Sequence, residues 1–302
     1  MRGVAHVPVT LEVGFRLDDT EQDCAAPLQH GGSVDTVAVD TPEALLDVAV
    51  EAARAAGQAA MRWRDRLREL TVEHKSGPGD LVSEADRDAE HAARAVLTQR
   101  RPDDAVVGEE GEATDGACGV QWYVDPVDGT TNYLYGRDDW CVSVAAWRDG
   151  MALAAVVLEP VTDRLTSATA GGGAWCDGVR LQVRRPPSLD LAVVELGLGR
   201  RDRRARAGQV VGALVPQVRD VRRGGSAAIA LANVALGRAD AVWSPGLQTW
   251  DMAAGVLLVT EAGGVVADLD RTVSGMPASG EVLAGDAGLV EALRPLLQHA
   301  LS

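Results

Sequence analysis

The run Trp122-Tyr123-Val124-Asp125-Pro126-Val127-Asp128-Gly129-Thr130-Thr131-Asn132 constrains this chain more than any other segment. A β-prone stretch ends in two carboxylates three residues apart. Gly129 then opens the backbone, and Thr130 and Thr131 can start a helix. Such a strand delivers hard oxygen ligands to one point, and the new helix brings unpaired N–H groups and its positive dipole end beside them. Carboxylates hold Mg²⁺ and a helix end holds phosphate, so the segment reads as a metal-dependent phosphate site.

The rest of the chain narrows that reading. With 302 residues it can bury a large core, in one big domain or two closely joined halves. A net charge of −15 argues against non-specific binding to nucleic acid or anionic membranes. The same charge repels an anionic substrate unless bound cations reverse the local potential. No apolar run approaches the ~18 residues of a membrane span. The first thirty residues carry His6, Glu12, Asp18 and Asp19 in place of an apolar signal core, which predicts a cytoplasmic protein. Cys24, Cys118, Cys141 and Cys176 lack paired spacing, which favours reduced thiols over disulfides or zinc ligands.

Residues 1–40 show no sustained periodicity and read as an extension of uncertain order. Thr41-Pro42-Glu43 is a helix start, and the spacing of Leu45, Val48, Ala49, Ala52, Ala56 and Ala60 carries that helix to about Arg68. A second helix is expected over about 83–100, and short strands at 106–107 and 121–124. Strand patterns then follow at 141–147, 151–158, 165–170, 173–176 and 180–183, with Arg148-Asp149-Gly150 as a hairpin signal. From about 187 strands and helices alternate: strands near 191–196, 218–222, 240–243, 264–268 and 281–284, helices near 204–215, 226–236, 250–262 and 286–300. The expected fold is therefore α/β, with an α+β metal-binding half over 41–186, an α/β substrate-side half over 187–302, and the site between them.

Four acidic positions, Glu109, Asp125, Asp128 and Asp251, fall at strand-to-turn or turn-to-helix junctions, where side chains can project into a cleft. Each alone has a plainer explanation, as a solvated loop acid, a turn residue or a complement to a helix dipole. A phosphatase with two or three metals needs such a set to hold divalent ions ~3.5–4 Å apart. Lys75 is the only lysine among 29 Lys and Arg residues, and its compact ammonium suits a phosphate or metal-water pocket.

In order and spacing these residues resemble the inositol monophosphatase family of Mg²⁺-dependent, lithium-sensitive phosphatases. Gly108-Glu109-Glu110, the Asp125 to Asn132 run, and Trp250-Asp251 with Glu261-Ala262-Gly263-Gly264 carry the resemblance, which covers about residues 42–300. Lys75 and Asp86 fall where the family has its upstream lysine and aspartate. The resemblance implies a layered αβαβα sandwich, of the type shared with fructose-1,6-bisphosphatase, usually assembled as a homodimer. It also implies two to three Mg²⁺ ions and a catalytic group of Glu109, Thr130, Asp86 and Lys75. Glu109, Asp125 and the Val127 carbonyl would hold the first ion. Asp125, Asp128 and Asp251 would hold the second, with Glu109 helping a third. Thr130, linked to Asp86, would orient the attacking water with Glu109, and Lys75 would sit close to the metal-bound waters. The N–H groups of Gly129 and Thr130 would take the phosphate, and Asp128, Gly225, Ala228 and Ser244 would face the substrate. The implied reaction is direct attack of metal-activated water on a small, inositol monophosphate-like phosphomonoester.

The chain departs from the inositol-specific pattern at Ser244, where such members usually have glutamate, and at Leu198 and Gly199, where they usually have serines. Histidinol phosphate and a nucleotide phosphate stay open as substrates. A haloacid-dehalogenase-type phosphatase would need an aspartate two residues before the second one and a downstream lysine, and the chain has neither. An inactive phosphate-binding relative would be expected to lack a metal ligand. Nucleic-acid binding through the arginine run at 200–206 lacks interleaved aromatics to stack bases.

Overall fold

The computed structural model describes residues 40–74, 81–199 and 201–302. Lys75, Arg200 and all of the 1–40 extension except Asp40 lie outside the described residues. The first half runs α1 (Pro42–Arg64), β1 (Glu73–His74), β2 (Leu81–Val82), α2 (Glu84–Arg100), β3 (Ala105–Gly108), β4 (Val120–Asp128) and α3 (Thr130–Leu134). It continues through β5 (Cys141–Arg148), β6 (Met151–Glu159), β7 (Arg164–Thr169), β8 (Gly173–Cys176) and β9 (Val179–Arg180). The second half is β10 (Val193–Leu196), α4 (Arg204–Leu214), β11 (Asp220–Arg222), α5 (Ala227–Ala235), β12 (Ala241–Ser244) and α6 (Thr249–Glu261), then β13 (Val265–Ala267), β14 (Thr272–Val273), β15 (Val282–Gly285) and α7 (Ala287–Leu301).

Two sheets organise these elements. Strands β3 to β9 form a seven-stranded sheet in chain order, antiparallel except for the parallel β3–β4 pair. The six-stranded sheet has order β11-β10-β12-β15-β13-β14 and mixes parallel and antiparallel pairs. Helices α1 and α2 cover one face of the larger sheet, around Trp122, Val142, Val144 and Val156. Helices α5 and α6 lie between the sheets, against Cys141, Ala145 and Val157 on one side and Val242, Val282 and Ala284 on the other. Helices α4 and α7 close the outer face of the smaller sheet over Val194, Trp243 and Leu283. The result is the expected α-β-α-β-α layering. Residues 40–302 pack as one unit because the middle layer belongs to both cores.

Local chemistry explains the elements that frame the site. The Thr41 hydroxyl accepts from Ala44 N and Pro42 fills the first turn, so α1 starts where capping rules require. Its buried face is mostly alanine, which lets the helix lie close on β6. The helix stops at Arg64, short of Arg68, where the Asp65 N–H turns to Trp63 O, and the Arg64 side chain donates to the carbonyls of Tyr133 and Gly136. Asp149 and Gly150, with φ of 51° and 75°, make the two-residue turn between β5 and β6 that their sequence signals. The pair β1–β2 and strand β14 were not expected from the sequence, since each is only two residues long.

Strand β4 holds the most consequential irregularity. It pairs Asp125 with Ser143 and Asp128 with Cys141, so three steps on β4 match two on β5. Side chains three apart on a regular strand point to opposite faces. The extra residue at Pro126-Val127 is a β-bulge that returns Asp128 to the face of Asp125. Proline is tolerated there because a bulge leaves one ladder position without a donor. Val127 points the other way, into the core beneath α1 and α2.

Candidate active site

Both bulge carboxylates face the layer between the sheets and are buried, at 1% exposure for Asp125 and 8% for Asp128. Asp128 Oδ2 accepts from Ser226 Oγ and from Ala228 N, each at 2.6 Å, so the N-terminus of α5 grips one carboxylate oxygen. Cys141 Sγ stands 4.0 Å from the same atom. Asp125 Oδ1 accepts from Val127 N at 3.1 Å, across the bulge. Asp251 sits in the first turn of α6 and accepts from Gln248 N at 2.7 Å, closing a capping box. It therefore completes its helix end, and its charge also bears on Asp125. Glu109 follows β3, which runs parallel beside β4, and its N–H reaches Val124 O at 3.2 Å.

The charges of the four acids act on one another. Burial first, then the charges of Glu109, Asp128 and Asp251, hold the Asp125 carboxyl well above the usual carboxylate range. Burial likewise pushes Asp128 up to about 6, against the lowering pull of Ser226 and the N–H groups of Ala228 and Ala227, while the charge of Glu109 adds to the rise. The neighbours that set these two carboxyls are other carboxylates and hydrogen-bond donors, not arginines. A divalent cation relieves such crowding, and an all-oxygen donor set fits Mg²⁺ better than a softer metal. Among the described residues no three of these side chains already close on one point as a metal cluster. Asp128 and Asp251 each spend Oδ2 on a helix N-terminus.

The remaining candidates divide. Gly129 has φ 101°, a left-handed conformation in which a Cβ would also press on Asp139 O at 3.1 Å, so only glycine fits the turn into α3. That helix has five residues, so any phosphate there would be met by individual N–H groups more than by a dipole. The Thr130 hydroxyl donates to Val127 O at 3.2 Å, while Asp86 accepts from the Ser83 N–H and hydroxyl at 2.9 and 2.6 Å. Thr130 thus turns to the bulge and Asp86 to the start of its own helix. The N–H of Ala228 is committed to Asp128. A cavity of about 170 Å³ opens beside the acids, lined by Asp128, Asp251, Glu195, Gly225, Ser244 and Leu198 among others.

Several supporting residues escaped the sequence reading. Ser226 caps α5 and donates to Asp128, and its position before an Ala-rich helix was a visible capping signal. Asn132 Nδ2 donates to Asp139 O and Gly224 O, both at 2.7 Å, tying the end of the central motif to the loop before α5. That link spans ninety-two residues, and no local pattern announces it. Glu195, buried at the end of β10 and held by Asn233 Nδ2 at 3.0 Å, has its carboxyl raised by burial. Cys141 and Cys176 are buried and reduced, and Cys118 is half-buried and reduced. Among the described residues no helix is long and apolar enough to cross a membrane.

Comparison with known proteins supports the same picture. Residues 41–301 match the inositol monophosphatase family. An inositol-1-monophosphatase of Rhizobium meliloti is 40% identical over 262 residues, covering 85% of this chain and 97% of that protein. A protein named Nus factor SuhB from Pseudomonas aeruginosa is 38% identical over 264 residues, covering 85% and 97%. The crystal structure of the extragenic suppressor protein suhB from Bartonella henselae superposes with a TM-score of 0.81 at 35% identity, over 84% of this chain and 98% of that one. Motif order, layering and aligned span agree: the chain belongs to the inositol monophosphatase family.

Proposed function

We propose that the chain is a Mg²⁺-dependent phosphatase that hydrolyses a small phosphomonoester by direct attack of water, with no phosphoenzyme. What supports this best is that Asp125 is buried beside the bulge while the charges of Glu109, Asp128 and Asp251 all oppose its ionisation in the absence of a cation. Glu109, Asp125, the Val127 carbonyl, Asp128 and Asp251 would hold the ions. Bound Mg²⁺ supplies charge neutralisation for the phosphate and a water of lowered pKa. The chain's own groups do the rest. Gly129 and Thr130 offer N–H groups to phosphate oxygens, and Glu109 orients the attacking water and holds its proton. Thr130 helps to place that water, and Asp86 fixes the start of α2 beside it. We assign Lys75 to the same site on sequence grounds alone. The cavity beyond excludes bulk water and receives the leaving alcohol.

We infer a cytoplasmic homodimer, lithium-sensitive and acting on small phosphorylated compounds, without nucleic acid or membrane as substrate. The leaving alcohol is where the chain is least committed to inositol. Leu198, Gly199 and Ser244 line the cavity, so the three positions at which the chain departs from the inositol pattern offer a polyol one short hydroxyl and no carboxylate. A second cavity of about 520 Å³, with Arg203, Gln248, Met252 and Met276 in its walls, shares Leu247 as a wall with the first. Histidinol phosphate or a nucleotide therefore competes with inositol monophosphate as substrate. The name Nus factor on relatives such as the Pseudomonas protein suggests a second role, to which the intact acid set gives no support. Phosphate release from inositol 1-phosphate, histidinol phosphate, AMP and adenosine 3′,5′-bisphosphate, with Mg²⁺ and with EDTA, tests the reading. Turnover that survives EDTA, or its absence on every compound, would overturn it.

A further inference from the structure

Helix α2 carries Asp86, Glu90 and Arg94 at four-residue intervals, one polar stripe on a helix whose other buried positions are mainly alanine. Glu90 is 2% exposed, a costly place for a carboxylate unless every oxygen is used. Its Oε2 accepts from Glu110 N at 2.7 Å, and its Oε1 accepts from Gly111 N at 2.9 Å. Arg94 Nε donates to the same Oε1 at 2.6 Å and fixes the carboxylate from behind. On the other side, a Cβ at Gly108 would lie 2.4 Å from Glu90 Oε1, so β3 ends flush against the carboxylate. Gly108, Glu110 and Gly111 therefore all rest on Glu90, and the one residue they bracket is Glu109.

We propose that Glu90, braced by Arg94, is a positioning residue that holds Glu109 for metal binding. The inference rests on the metal reading above and adds a residue outside the set of ligands. The bracketing bonds fix the backbone on the C-terminal side of Glu109, and the contact at Gly108 fixes it on the N-terminal side. Bond directions matter here: a carboxylate places one acceptor oxygen on each N–H group, whereas alanine offers none and glutamine would turn an NH2 donor toward one of them. The Arg94 Nη2 atom is buried with no hydrogen-bond partner among the described residues, so removing Glu90 would strand this guanidinium further.

Calorimetric titration of Mg²⁺ into the full chain tests the proposal, with Glu90→Ala, Glu90→Gln and a control, Leu97→Ala. Leu97 is fully buried on the same helix and makes no contact of this kind, so it reports the cost of loosening α2 alone. Glu90→Ala is expected to weaken Mg²⁺ affinity by about tenfold or more, the usual effect of losing a group that orients a ligand. Glu90→Gln retains one acceptor and should fall between Glu90→Ala and wild type. Leu97→Ala should lower Tm without changing Mg²⁺ affinity. In turnover, Glu90→Ala should raise the Mg²⁺ concentration for half-activation and leave substrate KM at saturating Mg²⁺ nearly unchanged. Equal Mg²⁺ affinities for Glu90→Ala and Leu97→Ala would overturn the positioning role while leaving the metal reading intact. If Glu90→Ala does not fold, Glu90→Gln decides, and wild-type affinity in that variant overturns the role. A wild-type chain that binds no Mg²⁺ would overturn the metal reading, and this inference with it.

Discussion

Two walls face each other across the cavity, and they are built differently. On one, Asp128 and Asp251 are tied to the N-termini of α5 and α6, and the strand bulge that sets Asp128 also sets the buried Asp125. On the other, Glu195 to Gly199, Arg223 to Gly225 and Ser244 to Leu247 are strand ends and loops, and Arg223 is exposed. Moving an acid on the first wall means moving a strand or a helix. On the second wall a side chain can change while its backbone stays in place. Reaction chemistry is thus vested in backbone geometry, and the choice of leaving group in replaceable side chains.

That contrast breaks first at Asp125. Asp125→Asn should lower kcat by more than about 100-fold, beyond the range typical of a group that only orients a ligand. Fold should survive, because the amide keeps the shape and an oxygen for Val127 N. Removing a charge that burial and three acids oppose should also leave the metal-free variant at least as stable as wild type at neutral pH. Stopped-assay kcat and a Tm in EDTA check both halves. Near-wild-type turnover would show that the first wall is not where the chemistry lies.

The first wall was readable in sequence to the extent that it is local. Asp125, Asp128 and Gly129 stand in one run, and the layered order of strands and helices follows from periodicity, so α/β layering was recoverable with boundaries off by a few residues. Three features were not. Asp125-Pro126 can read as a turn after a strand that ends at Val124, and only the pairing of Asp128 with Cys141 shows a bulge inside a strand that continues to Asp128. The grip of Ser226 and Ala228 on Asp128 joins residues about a hundred positions apart. The brace from Glu90 to Glu110 and Gly111 crosses from a helix to a loop, and Glu90 looks like an ordinary i,i+4 partner of Arg94 in the sequence.

A second prediction sharpens the contrast through pH. Burial raises the folded-state Asp128 carboxyl from 3.8 to about 6 when no metal is present. Between those values the folded chain binds more protons than the unfolded chain. The associated stability is complete below about 4 and is lost as pH rises through about 6. In EDTA, Tm should therefore fall over that interval by more in wild type than in Asp128→Asn. Mg²⁺ needs the ionised carboxylate, so its affinity and its stabilising effect should rise across the same interval. Paired thermal melts with EDTA and with Mg²⁺ give both slopes. A wild-type Tm in EDTA that rises from pH 4 to 6 relative to Asp128→Asn would contradict the burial of a strained carboxyl at this wall.

The smallest effect is expected on the second wall, at Ser244. Its hydroxyl occupies the space a side chain at Gly197 would need, with Oγ 1.9 Å from the position of such a Cβ, so the end of β12 packs directly on the backbone after β10. A glutamate at 244 cannot fold back into that contact and must extend along the cavity that Ser244 lines. It then presents an acceptor to hydroxyls of a leaving polyol. Ser244→Glu should raise the kcat/KM ratio of inositol 1-phosphate to histidinol phosphate by about two- to tenfold, the worth of one added hydrogen bond. Mg²⁺ affinity should not change, because the residue stands on the wall that does not hold the acids. A shift in metal affinity with no shift in the substrate ratio would reverse the division of labour between the walls, since side chains on the loop wall would then tune the metal.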